Sequence, residues 1–213
     1  MRPLALTGIR SLVALGAHPD DIEIAAGGLL LQVAAANPGL AVRYVLATGT
    51  PARQAEARAA ATAFLPGADL TFDLGTLPDG RLPAHWDAVK AQVERAACET
   101  APDLVIAPWS GDAHQDHRLL GELAPTAFRD ALVLNYEIPK WDGDLGRPAV
   151  HIPMPDDIAH RKVALLHEHF PSQASRDWWD DEVFLGFARI RGMECRSRYA
   201  EAFHLRKLVI QLP

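Results

Sequence analysis

Ser11-Leu12-Val13-Ala14-Leu15-Gly16-Ala17-His18-Pro19-Asp20-Asp21-Ile22-Glu23-Ile24-Ala25-Ala26-Gly27-Gly28-Leu29-Leu30-Leu31 is the stretch that decides the fold. Residues 11–17 are apolar and short, a strand pattern. Residues 22–36 read as a helix, with small residues on the face that would lie against a sheet. Between them a turn carries one imidazole and two carboxylates. The turn after a strand is where an open α/β sheet normally holds its chemistry.

Outward from this unit, strand-like and helix-like segments alternate. Ala41–Ala47 reads as a second strand, and residues 52–64, rich in Ala with Glu and Arg, as a helix. Asp69–Phe72 is a short third strand. Residues 85–100 place Trp86, Val89, Val93, Ala96 and Ala97 at helical spacing. Leu104–Ala107 is a buried-type strand, His117–Ala131 a helix and Ala131–Leu134 another strand. Pro-rich turns punctuate residues 139–155, residues 156–169 and 180–192 read as helical, and the tail Phe203–Leu212 as extended. The rhythm predicts an α/β, Rossmann-like, mainly parallel sheet with helices on both faces. Without repeat, low-complexity segment or linker, residues 1–213 are expected to form a single domain.

Composition narrows the function classes. Of 213 residues, 49% are hydrophobic and 23% charged, ordinary for a globular protein. The net charge is −6 with no basic block, which argues against nucleic acid and anionic membrane as partners. Cys98 and Cys195 form no CxxC pair and read as reduced thiols. Residues 1–8 lack the apolar core of a signal peptide, and no apolar run reaches the roughly 18 residues of a membrane helix. The expectation is a soluble, cytoplasmic protein with no membrane span. A homo-oligomer is allowed, but the oligomeric state is left open.

A second polar cluster, His114-Gln115-Asp116-His117, also follows a strand-like run. If both loops lie at the carboxyl edge of one sheet, clusters 96 residues apart can meet. His18 and Asp21, three apart at a turn, can point at one ion, and His117 can supply the third ligand. Such sets suit zinc, with a position left for water; iron(II), cobalt or manganese can use the same donors. Asp20, beside a ligand but pointing elsewhere, suits a general base. His114 suits an electrophile or general acid, and Asp116 a carboxylate orienting that imidazole. The plainer alternatives are that Asp20 and Asp21 cap the following helix and that His18 is structural. The coincidence of both clusters at one predicted edge favours the metal.

The tract Ala-His-Pro-Asp-Asp-x-Glu, Gly27-Gly28, and Asp112-x-His114-x-Asp116-His117-Arg118 resembles the zinc-dependent de-N-acetylases of the PIG-L/LmbE-like family. Residues 53–61, Leu77-Pro78-Asp79-Gly80, Ser172-Gln173 and Ala200–Phe203 extend the resemblance along the chain. It implies His18, Asp21 and His117 as metal ligands, Asp20 as base and His114 facing the oxyanion. The implied activity is release of acetate from an N-acetylated amino sugar or its conjugate, a small-molecule substrate. Gln115 departs from the proline many members carry.

Arg53, Trp109 and Asp112 are candidate substrate contacts, Asp112 alternatively bracing the His114 loop. Trp141, Trp178 and Trp179 can stack on a sugar or sit in the core. Glu23 is expected to act as a charge at its helix N-terminus. The specificity loops are expected at 109–116, 137–148 and 170–180. Competing readings are an amidase for a larger acyl or thiol conjugate, a non-haem iron oxygenase using the same facial triad, and a metal-free α/β binding module. The last lacks the Gly-x-Gly-x-x-Gly phosphate cradle after the first strand.

Overall fold

A computed structural model describes residues 3–210. Its first half is a run of strand–helix units: β1 (Ser11–Gly16), α1 (Asp21–Ala36), β2 (Ala41–Thr48), α2 (Pro51–Phe64), β3 (Asp69–Leu77), α3 (Trp86–Thr100), β4 (Leu104–Pro108), α4 (Gln115–Ala127) and β5 (Leu132–Tyr136). Then follow β6 (Val150–Met154), α5 (Asp156–His169), α6 (Asp181–Glu194) and β7 (Tyr199–His204). The seven strands form one sheet in the order β3-β2-β1-β4-β5-β7-β6. The first five are parallel; β7 runs antiparallel to both β5 and β6.

Alternation along the central strands builds two cores. Leu12, Ala14, Val42, Tyr44, Leu46, Leu104 and Ile106 face one, packed with α1, α2 and α5. Val13, Leu15, Val45, Ala47, Val105 and Ala107 face the other, under α3 and α4. Strands buried on both faces read as unbroken apolar runs, as these do.

The order reverses at β1, which pairs with β2 on one side and with β4 on the other. The register Leu12↔Leu104, Val13↔Val105, Ala14↔Ile106 lays the carboxyl ends of β1 and β4 side by side. A ligand crevice opens at such a switch point, and the expected α/β architecture is therefore present.

Several boundaries differ from expectation. The third strand runs on to Leu77, and the helix expected over 117–131 spans Gln115–Ala127. His114 caps that helix by accepting from Asp116 N, which moves its start back. The proline-punctuated stretch conceals β6, an edge strand that tolerates Pro153. The extended tail is strand only through His204, and Gln211 and Leu212 lie outside the described residues.

Helix α1 breaks at Ala26 (φ −133°, ψ 16°), so amides beyond the break need new acceptors. Glu201 of β7 supplies them: its two carboxylate oxygens accept from Gly28 N and Leu29 N, each at 2.7 Å. Lys162 Nζ neutralises it at 2.7 Å. Gly28 leaves room for this contact, because a Cβ there would displace the buried Met154 side chain. Since the carboxylate serves two amides as well as one ammonium, Glu201→Ala is expected to cost about 3–5 kcal/mol in urea unfolding. Lys162→Met is expected to cost less; an equal or larger cost would mean the ion pair alone matters.

At the opposite end of β1, Asp103 Oδ2 accepts from Arg10 N (2.8 Å), Ser11 N (3.1 Å) and Ser11 Oγ (3.2 Å). The Arg10 amide, followed by those of Ser11, holds this carboxyl below its usual 3.8. A folded-state value below the unfolded one gives stability that is present above pH 3.8 and lost as pH falls beneath it. Asp103→Ala is expected to lower unfolding free energy by about 1 kcal/mol at pH 7 after solvent screening. The gap should narrow as pH falls below 3.8; a gap independent of pH would exclude the ionised carboxylate as its source.

Candidate active site

Two buried bonds pin the exit of β1. Tyr136 Oη donates to Leu15 O at 2.6 Å and Thr48 Oγ1 to Ala17 O at 2.7 Å. The turn then folds around Asp21, whose Oδ2 accepts from Ala17 N (2.9 Å) and His18 N (2.8 Å). Asp20 is held at φ 114°, a left-handed conformation costly for a residue with a Cβ, and its side chain makes no capping bond. Neither aspartate therefore acts as a simple helix cap.

The β4–α4 loop reaches this turn. His18 Nδ1 lies 3.2 Å from His117 Nε2, and Asp21 Oδ2 lies 3.5 Å from the first and 3.3 Å from the second. A tetrahedral ion with ligands at about 2.0–2.1 Å spaces its donors about 3.3–3.4 Å apart. The three atoms fit one small divalent ion. His114 also falls within metal-ligand reach of His18 and His117.

The surrounding carboxylates set the electrostatics. Burial alone would lower His18, but Asp21, Asp116 and Asp79 push it up to about 12. Burial likewise opposes His117, which Asp21 and Asp112 raise to about 9. Burial would raise Asp21, yet His117 and His18 hold it well below the usual carboxylate range. Burial pushes Asp20 up to about 7 against the opposing charge of Arg53. Two imidazoles are thus embedded in concentrated negative charge that a cation satisfies. His114 is shifted the other way, downward, by burial and then by His117 and His18.

The family model of the GlcNAc-PI de-N-acetylases, PIG-L, matches residues 13–128, just over half of the chain and both polar clusters. The chain belongs to the PIG-L family. No match was found among curated proteins. Among solved structures, a conserved protein from Thermus thermophilus is 23% identical over 97% of this chain and 98% of its own, with TM-score 0.71. The N,N'-diacetylchitobiose deacetylase of Pyrococcus horikoshii is 20% identical over 93% and 84%, with TM-score 0.69. A 4-carboxy-2-hydroxymuconate hydratase from Pseudomonas putida is 19% identical over 96% and 100%, with TM-score 0.72. At these identities the likeness carries the fold alone.

In this PIG-L chain the cleft over the ion triangle is lined by Asp20, Arg53, Asp79, His114, Lys140, Trp141, Gln173, Arg176 and Trp178, among others. Arg53, a candidate substrate contact, has its Nη2 2.9 Å from Asp20 Oδ2 and also bonds to Pro19 O. Asp112 is buried and braces rather than lines: Oδ2 lies 3.1 Å from His117 Nδ1 and 3.0 Å from Lys140 Nζ, while Oδ1 accepts from His114 N at 2.7 Å.

Asp116 differs from expectation. Its carboxylate does not orient His114; Oδ2 lies 3.3 Å from His18 Nε2 and accepts from Gly80 N at 2.7 Å, and Oδ1 accepts from Leu82 N at 3.0 Å. Its backbone amide, not its carboxylate, meets His114 Nδ1, at 3.3 Å. The start of α4 turns the side chain away from residue 114.

Trp109 is outside the cleft. It stacks flat on His204 (4.0 Å, 7°) beside a separate depression lined by Ser110, Asn135 and Arg147. Trp179 is core, whereas Trp141 and Trp178 line the cleft. Glu23 is wholly buried and accepts from Tyr44 Oη at 2.9 Å; burial pushes it up to about 8. Asp79, whose Oδ1 is 2.9 Å from His18 Nε2, is a site residue that sequence reasoning misses, although its Leu-Pro-Asp-Gly motif is visible.

Because Asp112 Oδ2 lies 3.1 Å from the outer nitrogen of His117, Asp112→Ala is expected to weaken divalent-ion binding about 10–100-fold. Calorimetric titration of metal-stripped protein reads this directly. Unchanged affinity would remove Asp112 from the site.

Proposed function

We propose that this chain is a zinc-dependent hydrolase that removes the N-acetyl group from an N-acetylated amino sugar or its conjugate, releasing acetate. The carrying observation is the 3.2–3.5 Å triangle of His18 Nδ1, Asp21 Oδ2 and His117 Nε2 with Asp20 beside it. Those three residues would hold the ion. When bound, a divalent ion supplies Lewis acidity, polarising a carbonyl and acidifying water.

The chain's own groups do the rest. Asp20, near neutrality in its affinity for a proton, takes one from the attacking water as oxygen bonds to the acetyl carbon. His114 acts as a neutral donor: its Nδ1 accepts from Asp116 N, which leaves the proton on Nε2 for the developing oxyanion. Asp20 then returns its proton to the leaving nitrogen as the C–N bond breaks, giving acetate and a free amine. Arg53 holds the Asp20 carboxylate in place from α2.

A second reading has one observation in its favour: the hydratase neighbour superposes as well as the deacetylase does. Water activation beside a base serves addition to a double bond too. The family match supports the amide. The α/β scaffold disfavours the iron oxygenase, whose triad is usually carried by a β-barrel. Among the described residues no helix is long and apolar enough to cross a membrane. The free cysteines Cys98 and Cys195 suit a reducing, cytoplasmic setting, with residues 1–213 as one catalytic domain.

Zinc-loaded protein is expected to release acetate and free amine in equal amounts from N-acetylated sugars, and less from long-acyl analogues. His18→Ala and His117→Ala should lose metal and turnover together. Asp20→Asn should keep the metal and lose about 10²–10⁴ in kcat. Wild-type turnover in Asp20→Asn would remove it as base. Metal-loaded protein that releases no acetate from any N-acetyl sugar would overturn the reaction itself.

A further inference from the structure

Lys140 lies on the loop between β5 and β6 and lines the cleft. An ammonium at a cleft reads first as a contact for substrate, but its donors are already taken. Nζ lies 3.0 Å from Asp112 Oδ2 and 2.6 Å from Asp144 Oδ2, and it also donates to Ile138 O at 3.4 Å. An ammonium has three N–H groups, and the Lys140 side chain is only 10% exposed. Lys140 therefore serves the protein rather than a ligand in the cleft.

Both carboxylates continue into the loop that follows β4. Asp144 Oδ2 accepts from Ala113 N at 2.6 Å, and Asp112 Oδ1 accepts from His114 N at 2.7 Å. Asp112 Oδ2, the oxygen that meets Lys140, also lies 3.1 Å from His117 Nδ1. One ammonium thus gathers the two acids that fix the 112–114 backbone, one of which stands behind the His117 imidazole. The loop that carries Lys140 is braced from outside the site. Glu137, just after β5, accepts from Gly146 N at 2.7 Å and pairs at 2.7 Å with the buried Arg191 of α6. Lys140 and Asp144 lie within the span that this contact closes.

Charge and position make opposite demands on the ion site. By charge alone, an ammonium so near repels a divalent ion, and removing it would tighten binding. By position, removing it leaves Asp112 and Asp144 side by side without a counter-charge. A buried carboxylate stripped of its partner is strongly unfavourable. Asp112 escapes that penalty only by turning towards water, away from His117, and outer partners of this kind orient a ligating imidazole. We propose that Lys140 is a positioning residue for the ion site, holding the Asp112 carboxylate behind His117 and tying the β5–β6 loop to the loop that bears His114 and His117. This rests on the reading of His117 as an ion donor.

The sign of one measurement separates the two effects. Metal-stripped protein is titrated with zinc by calorimetry, with no substrate present. Lys140→Met is expected to weaken zinc binding about tenfold. Lys140→Arg, which keeps the charge and the donors, is expected to weaken it far less. In the Asp112→Ala background, Lys140→Met should cost no further affinity, because the lysine acts through that carboxylate. The visible absorption bands of cobalt-loaded protein should shift in Lys140→Met and stay in place in Lys140→Arg. Lys140→Gln serves if the methionine variant does not fold. Zinc binding that is unchanged or tighter in Lys140→Met would overturn the proposal, as would equal weakening with and without Asp112. A wild type that binds no divalent ion would instead overturn the ion site itself, and the hydrolysis reading and this proposal with it.

Discussion

The parallel pairing of β1 with β4 is the constraint on which the site depends. His18 and His117 are far apart in the chain, and only the Ala14↔Ile106 register brings their loops to one edge. The pairing holds because both strands are apolar on both sides and are clamped by separate cores. A slip of one residue would exchange the faces of every side chain. It would drive Leu12 and Ala14 into the α3–α4 core and carry the two imidazoles out of step. The positioning of the donors is thus enforced by hydrophobic burial some distance beneath them.

What that burial encloses is unfavourable in isolation. Asp20, Asp21, Asp112, Asp116, His18 and His117 are all buried, and charges taken from water need compensation. The compensation is specific for each. Asp21 and Asp116 accept backbone amides, Asp112 has Lys140, and Asp20 has Arg53. Asp20 remains the least satisfied, with a left-handed backbone and a proton affinity pushed up to about 7. Strain and desolvation converge on the residue proposed to exchange a proton. The carboxylates satisfied by amides and cations do the holding.

Legibility in the sequence followed distance along the chain. Residues 11–36 and 104–117 could be read because strand, turn and helix there are local, and the chemistry sits at the turns. The roles of Asp116 and Glu23 could not. Asp116 lies two residues from His114, which suggests pairing, but its carboxylate is claimed by Gly80 and Leu82 amides from another loop. Glu23 resembles a first-turn helix charge until Tyr44 closes over it. The tryptophans make the same point. Trp109 and Trp141 are equivalent as residue types, and only His204, arriving on an antiparallel strand, turns one of them into a packed surface.

A division of labour follows from the topology. The parallel half, β1 to β5, carries the residues proposed as ion donors, base and oxyanion donor, all from loops at one edge. The later half, β6, α5, α6 and β7, adds Trp141, Gln173, Arg176 and Trp178 as a wall over that edge. Glu201 joins the halves by binding the amides of α1 beyond its break. The proposed water activation draws only on the first half, and the fold itself is shared by a deacetylase and a hydratase. The second half adds side chains to the wall of the cleft, where the proposed reaction would meet its substrate. On the proposed reading, reaction chemistry and substrate choice are separable in this chain, because different structural elements bear them.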